Sequence, residues 1–263
     1  MEALRTKASE TLWWVKPSPS SVSSIASSSP STTPTVCSQC ADAGWVRVSE
    51  IGADDRWHVK TVPCECQAER LEHARLERAL AASSMTPKLL ALDFDRYDAT
   101  HNAPALSQMR AWATDSGRAA LPWIFLYGGP GSGKTHLLAA AFNALMAQGR
   151  CPLYTLVPDL LDHVRDGLNA SDKGEYSARF DAIREAPILI LDDLGAEKES
   201  DWSHETLFKL IDHRYRQELP TAIASNLLPE DLEPRIASRL QDVALSAALL
   251  MTGPDYRLRE RRP

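Results

Sequence analysis

The sequence predicts an α/β protein: a parallel sheet with helices on both faces, preceded by a small cysteine-bounded module and a Ser/Pro-rich tail. Three observations carry that prediction. Beyond residue 103, short apolar runs alternate with longer amphipathic stretches, the order that builds a doubly wound sheet. Residues 187–191 (Pro-Ile-Leu-Ile-Leu) are apolar throughout, as a central strand covered on both faces requires. Before residue 84 the character changes, because four of the five cysteines fall between positions 37 and 66.

A chain of 263 residues with 44% hydrophobic content accommodates one full α/β domain plus a smaller appendage. Its net charge of −6 excludes a protein that coats nucleic acid by bulk attraction, though not a local basic stripe inside an assembled ring. No apolar run approaches the roughly 18 residues that a membrane span needs. Leu-Trp-Trp-Val at 12–15 is too short for a signal peptide, so a cytoplasmic location is expected. An odd cysteine count without an export signal argues against disulfides.

Residues 1–36 are dominated by Ser, Pro, Thr and Ala and bury too little apolar surface to offset their ordering entropy; disorder is expected there. Residues 37–83 form the cysteine module. Trp-Val-Arg-Val from Trp45 and Trp-His-Val-Lys-Thr-Val from Trp57 alternate as a hairpin, with turn residues at 52–55 between them. A helix follows over 67–82, with Leu71, Ala74, Leu76, Ala79 and Leu80 spaced among charges. Residues 84–102 read as a linker in which Pro87 stops any helix. In the domain 103–263, strands are expected at 121–127, 152–157, 187–191, 221–225 and 244–251. Helices are expected at 134–148, 159–167, 201–217 and 232–242.

The first strand of that domain runs into Gly128-Gly129-Pro130-Gly131-Ser132-Gly133-Lys134-Thr135, followed by His136 and a helix. This is G-x-x-x-x-G-K-[ST] in the context that gives it meaning. Its glycines let backbone N–H groups close around phosphates at the positive end of a helix dipole. Lys134 is then placed to neutralise β- and γ-phosphate charge, and the Thr135 hydroxyl to ligate Mg²⁺, so ATP is the expected ligand. Asp192 and Asp193 follow the apolar run of the third strand. The first carboxylate can hold Mg²⁺ through water, and the second can polarise a water for attack on the γ-phosphate. Asn226, after the strand 221–225, is placed to orient the same water.

Leu191-Asp-Asp-Leu-Gly-Ala-Glu-Lys198, Ser225-Asn-Leu, Arg235-Ile-Ala-Ser-Arg239-Leu and Asp255-Tyr-Arg257 occur in that order. Together they resemble the AAA+ ATPases of the bacterial helicase-loader family, of DnaC and DnaI type, which includes the transposition helper IstB. The resemblance covers roughly 85–257 and implies an AAA+ P-loop fold. It implies that Arg239 is an arginine finger acting on a neighbouring subunit's γ-phosphate, with Arg235 as an alternative, and that Arg257 senses nucleotide in its own subunit. An ATP-dependent homo-oligomer follows from a finger that works in trans. Many such ATPases carry Glu where this chain has Asp193, a shorter acid consistent with slow turnover.

Cys37-x-x-Cys40 and Cys64-x-Cys66 read as a zinc site, since Zn²⁺ favours tetrahedral thiolate and imidazole ligands. His58 or His73 is the alternative to one cysteine. Some loaders carry a zinc module before the ATPase core, so docking on a replicative DNA helicase and engagement of single-stranded DNA are implied. The alternatives are a transposition helper on duplex DNA and a general protein remodeller. Residues 101–263 hold 18 Lys and Arg against 22 Asp and Glu, so DNA affinity rests on the resemblance and not on charge.

Overall fold

Five short apolar strands build the main sheet of the protein, a computed structural model that describes residues 37–258 except 42, 52–55, 116–120 and 169–173. The expected tail at 1–36 and turn at 52–55 lie outside those residues. The described residues divide into two units, one up to Arg78 and one from Ala79 onward.

In the first unit, β1 (Trp45–Ile51) and β2 (Trp57–Pro63) pair antiparallel, from Trp45 opposite Pro63 to Ile51 opposite Trp57. Opposed residues share a face. Trp45, Ile51, Trp57 and Val59 therefore lie on one side of the ribbon, all of them half or more exposed. The following α1 (Glu65–Ala82) begins in this unit and ends in the next.

In the second unit, β3 (Trp123–Tyr127), β4 (Leu153–Leu156), β5 (Leu189–Leu194), β6 (Thr221–Ser225) and β7 (Ser246–Leu250) form an all-parallel sheet in the order β4-β5-β6-β3-β7. The strand expected at its centre, β5, is interior, but β6 is the middle one. Strand order depends on the crossovers, which local hydrophobicity does not encode.

Alternation along each strand feeds two cores. Trp123, Phe125, Leu189, Leu191 and Ile223 face α5 (Val157–Asp166), α6 (Glu175–Arg184), α7 (Asp201–Arg216) and α8 (Pro234–Leu240). Ile124, Leu126, Ile190, Ala222 and Ala224 face α3 (Ala103–Asp115) and α4 (Lys134–Ala147). Among the described residues no helix is long and apolar enough to cross a membrane.

Three helices were not expected. Pro87 opens α2 (Pro87–Leu90) where it was expected to forbid a helix. Proline fits the first helical turn, where its missing N–H has no intrahelical partner, and the Thr86 hydroxyl accepts from Leu89 N there. The others, α3 and α6, each bury a face only about one residue wide per turn: Ala105, Met109 and Trp112 in α3, Phe180 and Ile183 in α6.

Arg214, in the last turn of α7, is wholly buried. Its guanidinium donates to Thr221 Oγ1 at 2.9 Å, Arg184 O at 3.0 Å, Ala186 O at 2.7 Å and Pro220 O at 2.8 Å. One side chain thus closes α6, the approach to β5 and the entry of β6. Arg214→Met leaves those acceptors unsatisfied and is expected to lower stability by about 3 kcal/mol. A urea unfolding midpoint equal to wild type would contradict this.

Candidate functional site

The turn between β3 and α4 is shaped by glycines that no side chain could replace. Gly131 sits at φ 70°, and a Cβ there would land on the Asp255 carboxylate. Gly133, at φ 96°, would drive one to 2.8 Å from the Tyr97 ring. Gly133 caps α4 without any side-chain acceptor for the first N–H groups of the helix. Lys134 is buried and turned back along the loop. Its Nζ donates to Gly128 O at 2.6 Å, Gly129 O at 2.8 Å and Ser132 Oγ at 3.4 Å. Burial pulls the Lys134 pKa down; the charges of Asp192 and Asp193 push it back up, and that of Arg257 lowers it. These four charges therefore share one electrostatic site. Pro130 is exposed at the loop tip, and His136 Nε2 lies 2.8 Å from Asp93 O.

The acidic pair lies within β5, not beyond its end, because the strand continues to Leu194. Pairing with β6 shifts between Leu191 and Leu194, and Asp193 takes a left-handed φ of 57°. This bulge breaks the side-chain alternation. Asp192 points inward, 1% exposed: Oδ2 accepts from Tyr154 OH at 2.7 Å and Oδ1 from Asp193 N at 3.0 Å. Burial pushes the Asp192 pKa up and the Tyr154 hydrogen bond pulls it down. Asp193 Oδ1 accepts from Asn226 Nδ2 at 3.2 Å, so two residues 33 apart in sequence meet as expected.

Arg257 stands on a 3-10 turn (Tyr256–Leu258) whose first N–H donates to Gly131 O at 3.0 Å, which brings it to the phosphate loop. Arg239 is elsewhere. It contacts α7 and α8: Asp212 at 2.9 Å from Nε, Arg235 O at 2.8 Å from an Nη, and the rings of Phe208 and Tyr215 at 4.8 and 5.6 Å. Arg235 lies 4.1 Å over the same Phe208 ring and pairs with Glu233 at 2.6 Å.

A glycine-shaped loop at a helix N-terminus, with a buried lysine and a buried carboxylate in one electrostatic site, is the equipment of nucleotide hydrolysis. The family model for "IstB-like ATP binding protein" matches residues 53–252. The chain belongs to that family. This IstB-like chain is accordingly a P-loop ATPase of AAA+ fold. It is 27% identical over 240 residues to the phage-like element PBSX protein XkdC of Bacillus subtilis, covering 86% of this chain and 85% of that one. It is 31% identical over 131 residues to the replicative helicase loader DnaI of Bacillus subtilis, covering 49% of this chain and 41% of DnaI. A crystal structure of DnaI superposes with a TM-score of 0.54 at 26% identity, over 66% of this chain and 94% of that one.

The IstB-like chain also gathers its four N-terminal cysteines. The sulfurs of Cys37, Cys40, Cys64 and Cys66 all lie within 4.8 Å of one another, Cys37 to Cys64 at 3.7 Å and Cys40 to Cys66 at 3.4 Å. A tetrahedral thiolate site with metal–sulfur bonds of about 2.3 Å needs sulfurs about 3.8 Å apart. Gly44 N donates to Cys40 Sγ at 3.3 Å, fixing the knuckle. Backbone N–H donors at Cys40 and Gln39 draw the Cys37 thiol down to about 7, while hydrogen bonding to Cys40 pushes Cys66 up. So crowded a set resists ionising together unless a cation neutralises it. Among the described residues neither His58 nor His73 joins the group; His73 pairs with Glu77 at 3.4 Å.

Two residues of the site escaped the sequence reading. Tyr154 reaches Asp192 from a neighbouring strand. Asn102, buried, donates to Ser132 O at 3.2 Å and Thr252 O at 2.9 Å and accepts from Thr252 N at 2.9 Å, tying the phosphate loop to the C-terminal segment. Neither belongs to a local motif.

Two glycines of the same loop separate backbone geometry from mere smallness. Gly131→Ala is expected to cost about 2 kcal/mol or more in unfolding free energy, from its positive φ and the Asp255 collision. Gly129→Ala, where an added Cβ meets nothing within 4 Å, is expected to stay within about 0.5 kcal/mol of wild type. Equal melting of the two variants in chemical denaturation would refute the distinction.

Proposed function

We propose that this ATPase is a helicase loader: its cysteine module docks on a replicative DNA helicase while the ATPase core engages single-stranded DNA and switches with ATP. The observation that carries this reading is the four-thiol cluster set beside an exposed two-tryptophan ribbon, ahead of a DnaI-like core. Exposed aromatic faces of this kind mark protein contacts. Zn²⁺ suits the donor set; four protein ligands close its coordination shell, which favours a docking role over a catalytic one.

Within the core, Gly128 to Gly133 would cradle the phosphates and Lys134 would neutralise them. Thr135 and Asp192 would hold Mg²⁺, whose charge shields the γ-phosphate oxygens during attack. Asp193, held by Asn226, would polarise the attacking water. Arg257 would sense nucleotide in its own subunit. Arg239, stowed against Asp212 in its own chain, would serve a neighbour, which makes the active form an ATP-dependent homo-oligomer.

A second reading, an IstB-like transposition helper on duplex DNA, is favoured by the family description. Affinity capture with the full chain from its native host separates the two. Co-purification of a replicative helicase supports the first reading, and a transposase in its place supports the second.

Purified protein is expected to carry one zinc per chain by elemental analysis. Cys37→Ser with Cys40→Ser should lose the metal and the helicase while retaining nucleotide, and a metal-free wild type prepared without chelator counts against the module. Arg239→Ala and Lys134→Ala should each be nearly inactive in phosphate release, the first binding ATP normally and the second failing to bind it. Their mixture should regain turnover, because some interfaces then join an intact phosphate loop to an intact finger. Mixed oligomers as inactive as their components would remove Arg239 from a role in trans.

A further inference from the structure

Strand β4 forms one edge of the sheet, and an edge strand offers unpaired backbone groups along its outer side. At one residue that side is closed. Ser84 N donates to Tyr154 O at 2.9 Å, and Tyr154 N donates to Ser83 Oγ at 3.1 Å. The Ser83 hydroxyl in turn donates to Ala79 O at 2.9 Å, inside the last turn of α1. Ser83 and Ser84 are the first residues after that helix, so the end of α1 grips the backbone of Tyr154.

The side chain of the same residue turns inward. Tyr154 is 1% exposed, and its ring meets Phe142 of α4 edge-on at 6.2 Å. Its hydroxyl donates to Asp192 Oδ2 at 2.7 Å. A phenol keeps its proton near neutral pH, so the hydroxyl is the donor of this pair. Asp192 also takes Asp193 N, from its own strand, so Tyr154 is the donor that reaches it from another strand.

We propose that Tyr154 is a positioning residue that holds Asp192 in its metal-binding orientation and makes that orientation depend on the seating of the end of α1. The inference rests on the assignment of Asp192 to Mg²⁺ made above. Ser83 follows α1 directly, so a shift of the last turn of that helix is passed through Ser83 and Tyr154 to the carboxylate. Outer-sphere partners of this type alter metal affinity by roughly 10–100-fold when removed.

The test titrates Mg²⁺ against binding of a fluorescent ATP analogue to the full-length chain. Tyr154→Phe keeps the ring and its packing; it is expected to raise the Mg²⁺ concentration for half-maximal tightening roughly tenfold. Binding without Mg²⁺ should be unchanged, which general damage to the fold would not spare. Ser83→Ala should shift the midpoint the same way by roughly threefold, and Ser83→Thr, which keeps the hydroxyl, should restore it. Asp192→Asn separates two failures. If it leaves the Mg²⁺ dependence unchanged, the metal assignment fails. If it shifts the dependence while Tyr154→Phe does not, the positioning role is overturned. A shift in Tyr154→Phe with none in Ser83→Ala overturns the link to α1.

Discussion

Everything around the nucleotide site serves to keep a carboxylate and an ammonium buried within one electrostatic neighbourhood. Asp192 is 1% exposed and Lys134 5%, and among the described residues neither has a direct ion pair; their pKa values move in the directions burial dictates. Isolated charges in such a setting are costly, and hydrogen bonds must replace the lost water. Lys134 finds two carbonyls and a serine, Asp192 the Tyr154 hydroxyl and an N–H. The parallel sheet makes this possible, because the carboxyl ends of adjacent strands lie together and present their turns to one side.

Parts of this were legible because they are local. The run from Gly128 to Thr135 specifies its own turn and helix start. Asp192 and Asp193 follow an apolar run whose length alone fixes it as a strand, and the spacing of Cys37 and Cys40 specifies a knuckle. What was hidden depends on chain order in space. Tyr154 lies on β4 and meets Asp192 only because β4 and β5 are neighbours in register, with Leu156 opposite Asp192. Asn102 and Thr252, 150 residues apart, meet because β7 pairs beside β3. The middle place of β6 and the bulge at Asp193 have the same origin. The helices α3 and α6 are a different kind of miss: their periodicity was present but too narrow to stand out beside charged neighbours.

The C-terminal segment is as much a part of the phosphate loop as the glycines are. Asn102 bonds Ser132 and Thr252 together, Tyr256 N caps Gly131 O, and Asp255 fills the space where a Gly131 side chain would go. Arg257 is delivered by that segment. A nucleotide that moved the loop would therefore move the arginine with it. Arg239 is handled differently, held by Asp212 and the Phe208 ring of its own chain.

The left-handed backbone at Asp193 limits how the site can drift over evolutionary time. Aspartate, asparagine and glycine tolerate φ near 57°, while longer and branched side chains are disfavoured there. Of those three only aspartate carries a charge. A glutamate would extend the acid by one methylene yet sit less comfortably on this bulge. The short acid thus suits the shape of the chain as well as its chemistry. Lineages that exchange it for the longer acid should show a compensating change in the pairing of β5 with β6.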